Sequence, residues 1–504
     1  MSAHELDPSF LGLPLDPLAD AGLARARALG ATHADVRVER IRYQDLRVRD
    51  AAVQSVNDSE DLGCAVRVVH DGAWGFAAGD DLTPDGVARL AEQAVAVARI
   101  AARMTTRRVE LAPEPVYTAT WVSDYEIDPW SIPTAQKTAL LVDWTARLQA
   151  ADGVEHASAH LRQVHECTFY ADLAGTRTVQ QRVRLMPGFD ASGSHGDLFD
   201  SMSSLAPPVG RGWEYLVGPS AWRWDEELAE VPELLAEKLR APSVQAGPTD
   251  LVIDPSNLWL TIHESIGHAT ELDRALGYEA NYAGTSFATP DLLGTLQYGT
   301  PLMHVTGDRT VPHGLATIGF DHEGVATQSW DIVRDGVLVG YQLDRSMAHL
   351  YPELNDARSN GCAYADSPGH IPIQRMANVS LQPAPDGPST AELIAGVDDG
   401  LYIVGDRSWS IDMQRFNFQF TGQRFFRIRD GRLAGQVRDV AYQATTTDFW
   451  GSMDAVGGPQ TWVLGGAFNC GKAQPGQVAA VSHGCPSARF RGVRVLNTLE
   501  EGGQ

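Results

Sequence analysis

The sequence predicts an α+β protein, with a mixed α/β N-terminal domain over residues 1–241 and a mostly antiparallel β domain over residues 248–504. Three observations predict this division. Helix-period and strand-period patterns alternate through the first half of the chain. Asp-Gly pairs flanked by apolar alternation mark hairpins, most of them in the second half. Between the halves lies Ala241-Pro242-Ser243 with Gly247-Pro248, the best linker in the chain.

Pro17 to Leu29 reads as an amphipathic helix ending at Gly30, and Val36, Val38 and Ile41, then Leu46 and Val48, as strands with one buried face. Cys64 to Val69 meets Asp71-Gly72 and continues into Ala73 to Phe76, a hairpin. Thr83-Pro84 opens a long helix over Leu82 to Ala102, Ile132 to Ala151 reads as another, and Val154 to Leu185 as further strands. A charged helix near Asp225 to Arg240 leads into the linker. Beyond it, Asp254-Pro255-Ser256 starts a helix, with Pro near the first turn and Asp or Ser as cap. Asp335-Gly336 and Asp430-Gly431 centre two more hairpins. Gln382 to Ser389 is a Pro-rich loop and Ala391 to Val397 a short helix. Phe416-Asn417-Phe418-Gln419-Phe420 alternates like a half-buried strand, which suits core packing better than peptide contact.

With 504 residues and 43% hydrophobic content, the chain can build two or three packed domains. Lys plus Arg number 40 against 64 for Asp plus Glu, a formal charge of −24. That argues against nucleic acid and against an anionic membrane surface as partners, since both require clustered positive charge. No apolar run approaches a membrane span and no basic-then-apolar export signal opens the chain, so a cytoplasmic protein is expected. Five cysteines, Cys64, Cys167, Cys362, Cys470 and Cys485, include no CxxC pair, and a disulfide framework is not expected.

The richest stretch is His263-Glu264-Ser265-Ile266-Gly267-His268. A hydrolytic zinc site needs three protein ligands, an open position for water and a base. Two histidines and a glutamate within six residues supply two ligands and the base. The familiar protease motif spaces its histidines four apart; here they are five apart. On a regular helix five steps separate them by roughly 140° and about 7.5 Å along the axis. One metal can bind both only if the helix is overwound or bulged, and Gly267 would ease such a distortion. Ile262, Ile266 and Ala269 give an apolar stripe. Glu271, three residues after His268, could orient that ring or could be a solvated carboxylate. Cys470, in Gly465-Gly466-Ala467-Phe468-Asn469-Cys470-Gly471-Lys472, and Cys485, in His483-Gly484-Cys485-Pro486, rival each other as third ligand, and spacing does not choose. Lys472, one of three lysines with Lys137 and Lys238, could favour a thiolate at Cys470. His313, His322, His349 and His370 are read as structural or exposed, and Asp321 and Glu323 as a solvated loop.

The stretch from His263 to Glu271 resembles the HExxxH signature of the TldD/PmbA family of metalloproteases, and Asn469-Cys470-Gly471-Lys472 that family's C-terminal Cys-Gly-Lys segment. The likeness extends through Gly319 to Gly324, Arg375-Met376-Ala377-Asn378 and Ala34 to Val38, and so covers about residue 16 to about residue 495. The resemblance implies His263, His268 and Cys470 as ligands of one zinc per chain and Glu264 as general base. It implies a TldD-type catalytic subunit that hydrolyses unfolded or extended peptides inside a dimer chamber. The second subunit would be a copy of this chain or a related PmbA/TldE-type partner lacking the motif. Two other functions compete: a metal-dependent amidohydrolase of small molecules, and a non-catalytic binding or regulatory subunit. The intact Glu264 argues against the latter, because a structural metal needs no base.

Overall fold

A computed structural model describes residues 5–501, so 1–4 and 502–504, at the outer ends of the two predicted domains, lie outside the described residues. The fold is α+β, as the sequence predicts. Its first sheet has seven strands: β1 (His33–Arg49), β2 (Ala52–His70), β3 (Ala73–Gly79), β4 (Thr118–Val122), β5 (His156–Asp172), β6 (Arg177–His195) and β7 (Leu198–Ser203). They run in the order β3-β2-β1-β5-β6-β4, with β7 beside β6, and every pairing is antiparallel except β4 with β6. The β2–β3 hairpin turns at Asp71 and Gly72, both at positive φ (52° and 76°), as this two-residue turn demands.

The predicted pair of strands over Val36 to Val48 is one continuous strand, β1, because no Pro or Gly interrupts residues 33–49. The expectation of a single buried face also fails along its first half. Ala34, Val36 and Val38 pack under the helices Leu15–Ala28 and Pro84–Ala101. The alternating Asp35, Arg37 and Glu39, which read as a wet face, are buried too. Residues 321–370 cover them, and the charges pair: Arg67 binds both Asp35 (2.8 Å) and Glu323 (3.0 Å), while Arg37 binds Glu39 (2.7 Å) and donates to the carbonyls of Ser367 and His370. Burial of charges is tolerable only with such pairing.

In the second half, the strands Asp399–Ile411, Gly247–Ile253, Ala488–Asn497, Val440–Thr445 and Asn417–Arg429 pair in that order, and the last pairs back to the first, closing a ring. Only Gly247–Ile253 with Asp399–Ile411 is parallel in this ring. Leu251, Ile253, Phe418, Phe420, Tyr442 and Phe490 share its core, so the Phe416–Phe420 alternation is indeed packing. The two predicted Asp-Gly turns also form, with positive φ at Asp335, Gly336, Asp430 and Gly431. This half also holds a four-stranded sheet, the short pair Ala363–Tyr364 with Ile373–Gln374, and the hairpin of Val463–Lys472 with Gln477–Cys485. The helix Pro255–Ile262 follows directly on Gly247–Ile253; Asp254 caps it, Oδ1 accepting from Ser256 N at 2.9 Å, and it packs against both strands of that hairpin.

Candidate metal centre

The helix does not continue regularly through the His263 motif. It widens into a π turn over His263–Gly267, in which His268 N donates to His263 O at 3.1 Å. This bulge is one of the two distortions the five-residue spacing demanded. A 4.7 Å separation of ring centroids now brings His263 and His268 to the same side. Gly267 serves the bulge differently from the expectation, since its φ is not positive. A Cβ there would lie 2.5 Å from Met376 Sδ, so any larger residue would have to displace the end of the Met376 side chain. The carbonyls released at the helix end find partners: Ser265 O accepts from Tyr298 Oη, Gly267 O from Gln342 Nε2 and Ala269 O from Ser286 Oγ, at 2.5, 2.7 and 2.7 Å.

Cys470, on Val463–Lys472, enters the same space. One donor atom each from His263, His268 and Cys470 lies within 4.8 Å of the others, and all three residues are buried. Cys470 Sγ is 3.6 Å from His268 Nε2. Zinc–nitrogen and zinc–sulfur bonds of ordinary length, meeting tetrahedrally, span ~3.6 Å between the donors. The donor set therefore fits zinc. Burial alone would raise the Cys470 thiol, but His268 and Arg375 outweigh it and hold the pKa below its ordinary value. Cys485, the rival, is elsewhere: its Sγ is 3.7 Å from Pro255 O, and burial pushes its pKa far up.

The two histidines are also held in ligating tautomers. His483 Nδ1 lies 2.8 Å from Val379 O, which can only accept, so the ring carries its proton there. Its Nε2, 2.7 Å from His263 Nδ1, must accept, and this leaves the His263 Nε2 lone pair free. Burial and the neighbouring His263 keep His483 neutral. His268 Nδ1 donates to Glu271 Oε2 at 2.9 Å, freeing Nε2 in the same way. Glu271 is thus no solvated carboxylate; it is fully buried, and Lys472 binds both it (3.0 Å) and Asp273 (2.7 Å). Lys472 acts on that pair of carboxylates instead of on the thiol. Arg375 braces the centre by donating to the carbonyls of Cys470 and Gln477.

Glu264, also buried, faces the centre from the π turn and receives Arg415 Nη1 at 2.5 Å on Oε2. Burial raises its pKa, yet His263, His268 and Arg415 together bring it below the ordinary value. Sequence reasoning missed Arg415 and the part played by His483. The histidine was visible only as a flank of Cys485, and nothing local marked the arginine.

Of the four lone histidines, His349 pairs with Glu110 and His370 with Asp366, His313 is not among the clustered donors, and His322 is buried. Asp321 and Glu323 are buried as well, contrary to the solvated loop expected. Glu323 bridges to the first sheet through Arg67, while Asp321 accepts backbone N–H groups from Glu323, Val325 and Ala363 within its own segment and its neighbour. A second cluster, Glu39, Glu166 and His322, also has donor atoms within 4.8 Å. Ala365 N donates to His322 Nδ1 at 3.1 Å, which puts the ring proton on Nε2; Arg37 pairs with Glu39 Oε2, and Arg182 and Arg184 pair with Glu166. Three arginines thus already neutralise the two carboxylates of that cluster, a charge-pairing layer between the two halves.

Residues 246–497 match the model of the PmbA/TldA metallopeptidase C-terminal domain, and residues 34–98 that of PmbA/TldA metallopeptidase domain 1. The chain belongs to the PmbA/TldD metallopeptidase family. Among its relatives, a metalloprotease of Methanothermobacter thermautotrophicus is 27% identical over 501 residues, spanning 98% of this chain and 100% of the relative. A zinc metalloprotease TldD homolog of Saccharolobus solfataricus is 20% identical over 482 residues, spanning 94% and 98%. TldE from Thermococcus kodakarensis shares the fold, with a TM-score of 0.70 at 15% identity over 94% of this chain and 98% of that one. Among the described residues, no helix is long and apolar enough to cross a membrane.

Proposed function

We propose that the chain is a zinc-dependent peptidase in which His263, His268 and Cys470 hold one zinc and Glu264 is the general base. The observation that carries this reading is the convergence of the three donors, in ligating tautomers, beside a carboxylate on the same π turn. Zinc bound there would lower the pKa of water to about 7 and polarise a carbonyl. Glu264 takes the proton of the attacking water and passes it to the leaving amine nitrogen. Glu271 and His483 keep each histidine's Nε2 unprotonated, and Lys472 keeps Glu271 charged.

Extended peptides are the substrate class we favour. The strand that carries Cys470 pairs only with Gln477–Cys485 among the described strands, which leaves its other edge for main-chain pairing with little choice of sequence. The partner would be a second copy or a motif-less TldE-like subunit, and the domains would divide at the 242–247 segment. Substituting Glu264→Gln tests the reading. Zinc content and fold should persist while peptide hydrolysis falls on the order of 10²–10⁴-fold. Cleavage at the wild-type rate would show that another group is the base.

A further inference from the structure

Arg415 sits at the tip between strands Asp399–Ile411 and Asn417–Arg429, with φ at +63°. A non-glycine residue in that region costs about 1–2 kcal/mol and persists only where its surroundings impose it. Here they do. Asp412 Oδ1 accepts from Gln414 N and Phe416 N, and Oδ2 from Asn417 N. Thr446 Oγ donates to Arg415 O, while Thr285 N and Phe287 N donate to the carbonyls of Met413 and Gln414. The whole tip is built to aim one side chain inward.

What that side chain does there is not explained by stability. The side chain is 14% exposed, and among the described residues its one side-chain hydrogen bond runs from Nη1 to Glu264 Oε2; its buried Nε has no partner. Leaving a donor of a largely buried cation without a partner is costly. The pair also opposes the chemistry, because a cation on Glu264 makes that carboxylate a weaker base. Glu264 would be the stronger base with the guanidinium withdrawn from Oε2. The indole of Trp409, on the same hairpin, lies near enough to Glu264 to favour its charged form as well.

We propose that Arg415 is a catalytic residue whose guanidinium leaves Glu264 when substrate enters and donates to the scissile carbonyl oxygen as that oxygen becomes the oxyanion of the tetrahedral intermediate. This rests on the peptidase reading above. The water oxygen bonds to the carbonyl carbon and its proton goes to Glu264. The C–N bond then breaks with its electron pair on nitrogen, which takes the proton from Glu264. Arg415 stays protonated throughout and contributes by fixed donors at the site of developing charge. Its place one hydrogen bond from Glu264 puts it at the scissile bond; a substrate's terminal carboxylate would lie at least a residue further on.

The test uses zinc-loaded full-length protein. Arg415→Gly suits the positive φ and so spares the fold; Arg415→Lys retains charge without the fork. Zinc content, Tm, kcat, KM and the affinity of a phosphinic peptide, a tetrahedral anion, are measured for each. In Arg415→Gly zinc content and Tm should hold, and kcat should fall on the order of 10²–10³-fold with KM changed far less. Phosphinate affinity should fall in parallel, Lys should recover part of the loss, and added guanidinium ion should rescue Arg415→Gly. Unchanged kcat and phosphinate affinity would overturn the proposal and leave Arg415 a resting clamp. A loss confined to KM for free-acid peptides, with amidated peptides unaffected, would overturn it in favour of terminal-carboxylate binding. Wild-type protein that binds no zinc, or an active Glu264→Gln variant, would instead refute the underlying peptidase reading.

Discussion

Replacing His483 with Phe isolates the hydrogen-bond chain that sets the His263 tautomer. Phe keeps a flat ring where His483 stacks on Trp259, at 6.2 Å between centroids and 11° between planes, but removes both ring nitrogens. His263 Nδ1–H then loses its 2.7 Å acceptor inside a buried site, and the tautomer with the proton on Nε2 is no longer excluded. Groups that orient a ligating histidine in this way typically contribute 10–100-fold to metal affinity, which is about 1.4–2.8 kcal/mol. Gln at the same position has an oxygen to accept from His263 and an amide N–H to donate to Val379 O, so it should retain most of the affinity. Zinc affinity is read by competition against a chromophoric chelator at fixed pH, with Tm of the zinc-free proteins as the control for folding. The reasoning fails if Phe binds zinc as tightly as wild type, or if Gln is as weak as Phe while both fold normally.

Lys472→Met should destabilise the protein by about 3–5 kcal/mol, because Glu271 and Asp273 would share a buried site without their common cation. Urea unfolding measures this, and a change under 1 kcal/mol would show that Arg274, 3.8 Å from Glu271, suffices. Burial raises Glu39 from 4.5 to about 7, against the pull of Arg37 and with a further push from Glu166. Its folded pKa exceeds its unfolded one, so its contribution is intact below about pH 4.5 and is lost as pH rises through 7. At about 1.4 kcal/mol per unit the loss approaches 3 kcal/mol. Urea midpoints from pH 5 to 8 should therefore fall in wild type and fall less in Glu39→Gln; equal slopes would refute the assignment.

Much of this was legible in the residues. The Asp-Gly pairs forced positive φ at known places, and Thr83-Pro84 and Asp254-Pro255 announced their helices through capping chemistry. Two histidines five apart cannot share one metal on a regular helix, so the sequence alone implies a distortion near Gly267. What stayed hidden depends on contacts between segments far apart in the chain. Alternation along Asp35, Arg37 and Glu39 looks the same whether the polar face meets water or a covering segment 300 residues away. The preference for Cys470 over Cys485 came from family likeness, since both lie in glycine-broken stretches and only the hairpin register tells them apart. Arg415 had no local signature, because its meaning comes from a tertiary contact across 151 residues.

The most direct test of the central claim is zinc X-ray absorption, with metal stoichiometry, on wild type and on the Cys470→Ser and Cys485→Ser proteins. The account predicts one zinc per chain, with two imidazole nitrogens at about 2.0–2.1 Å and one sulfur at about 2.3 Å. That sulfur should vanish in Cys470→Ser and remain in Cys485→Ser. A wild-type spectrum without sulfur, or a sulfur lost with Cys485 and kept without Cys470, would contradict it.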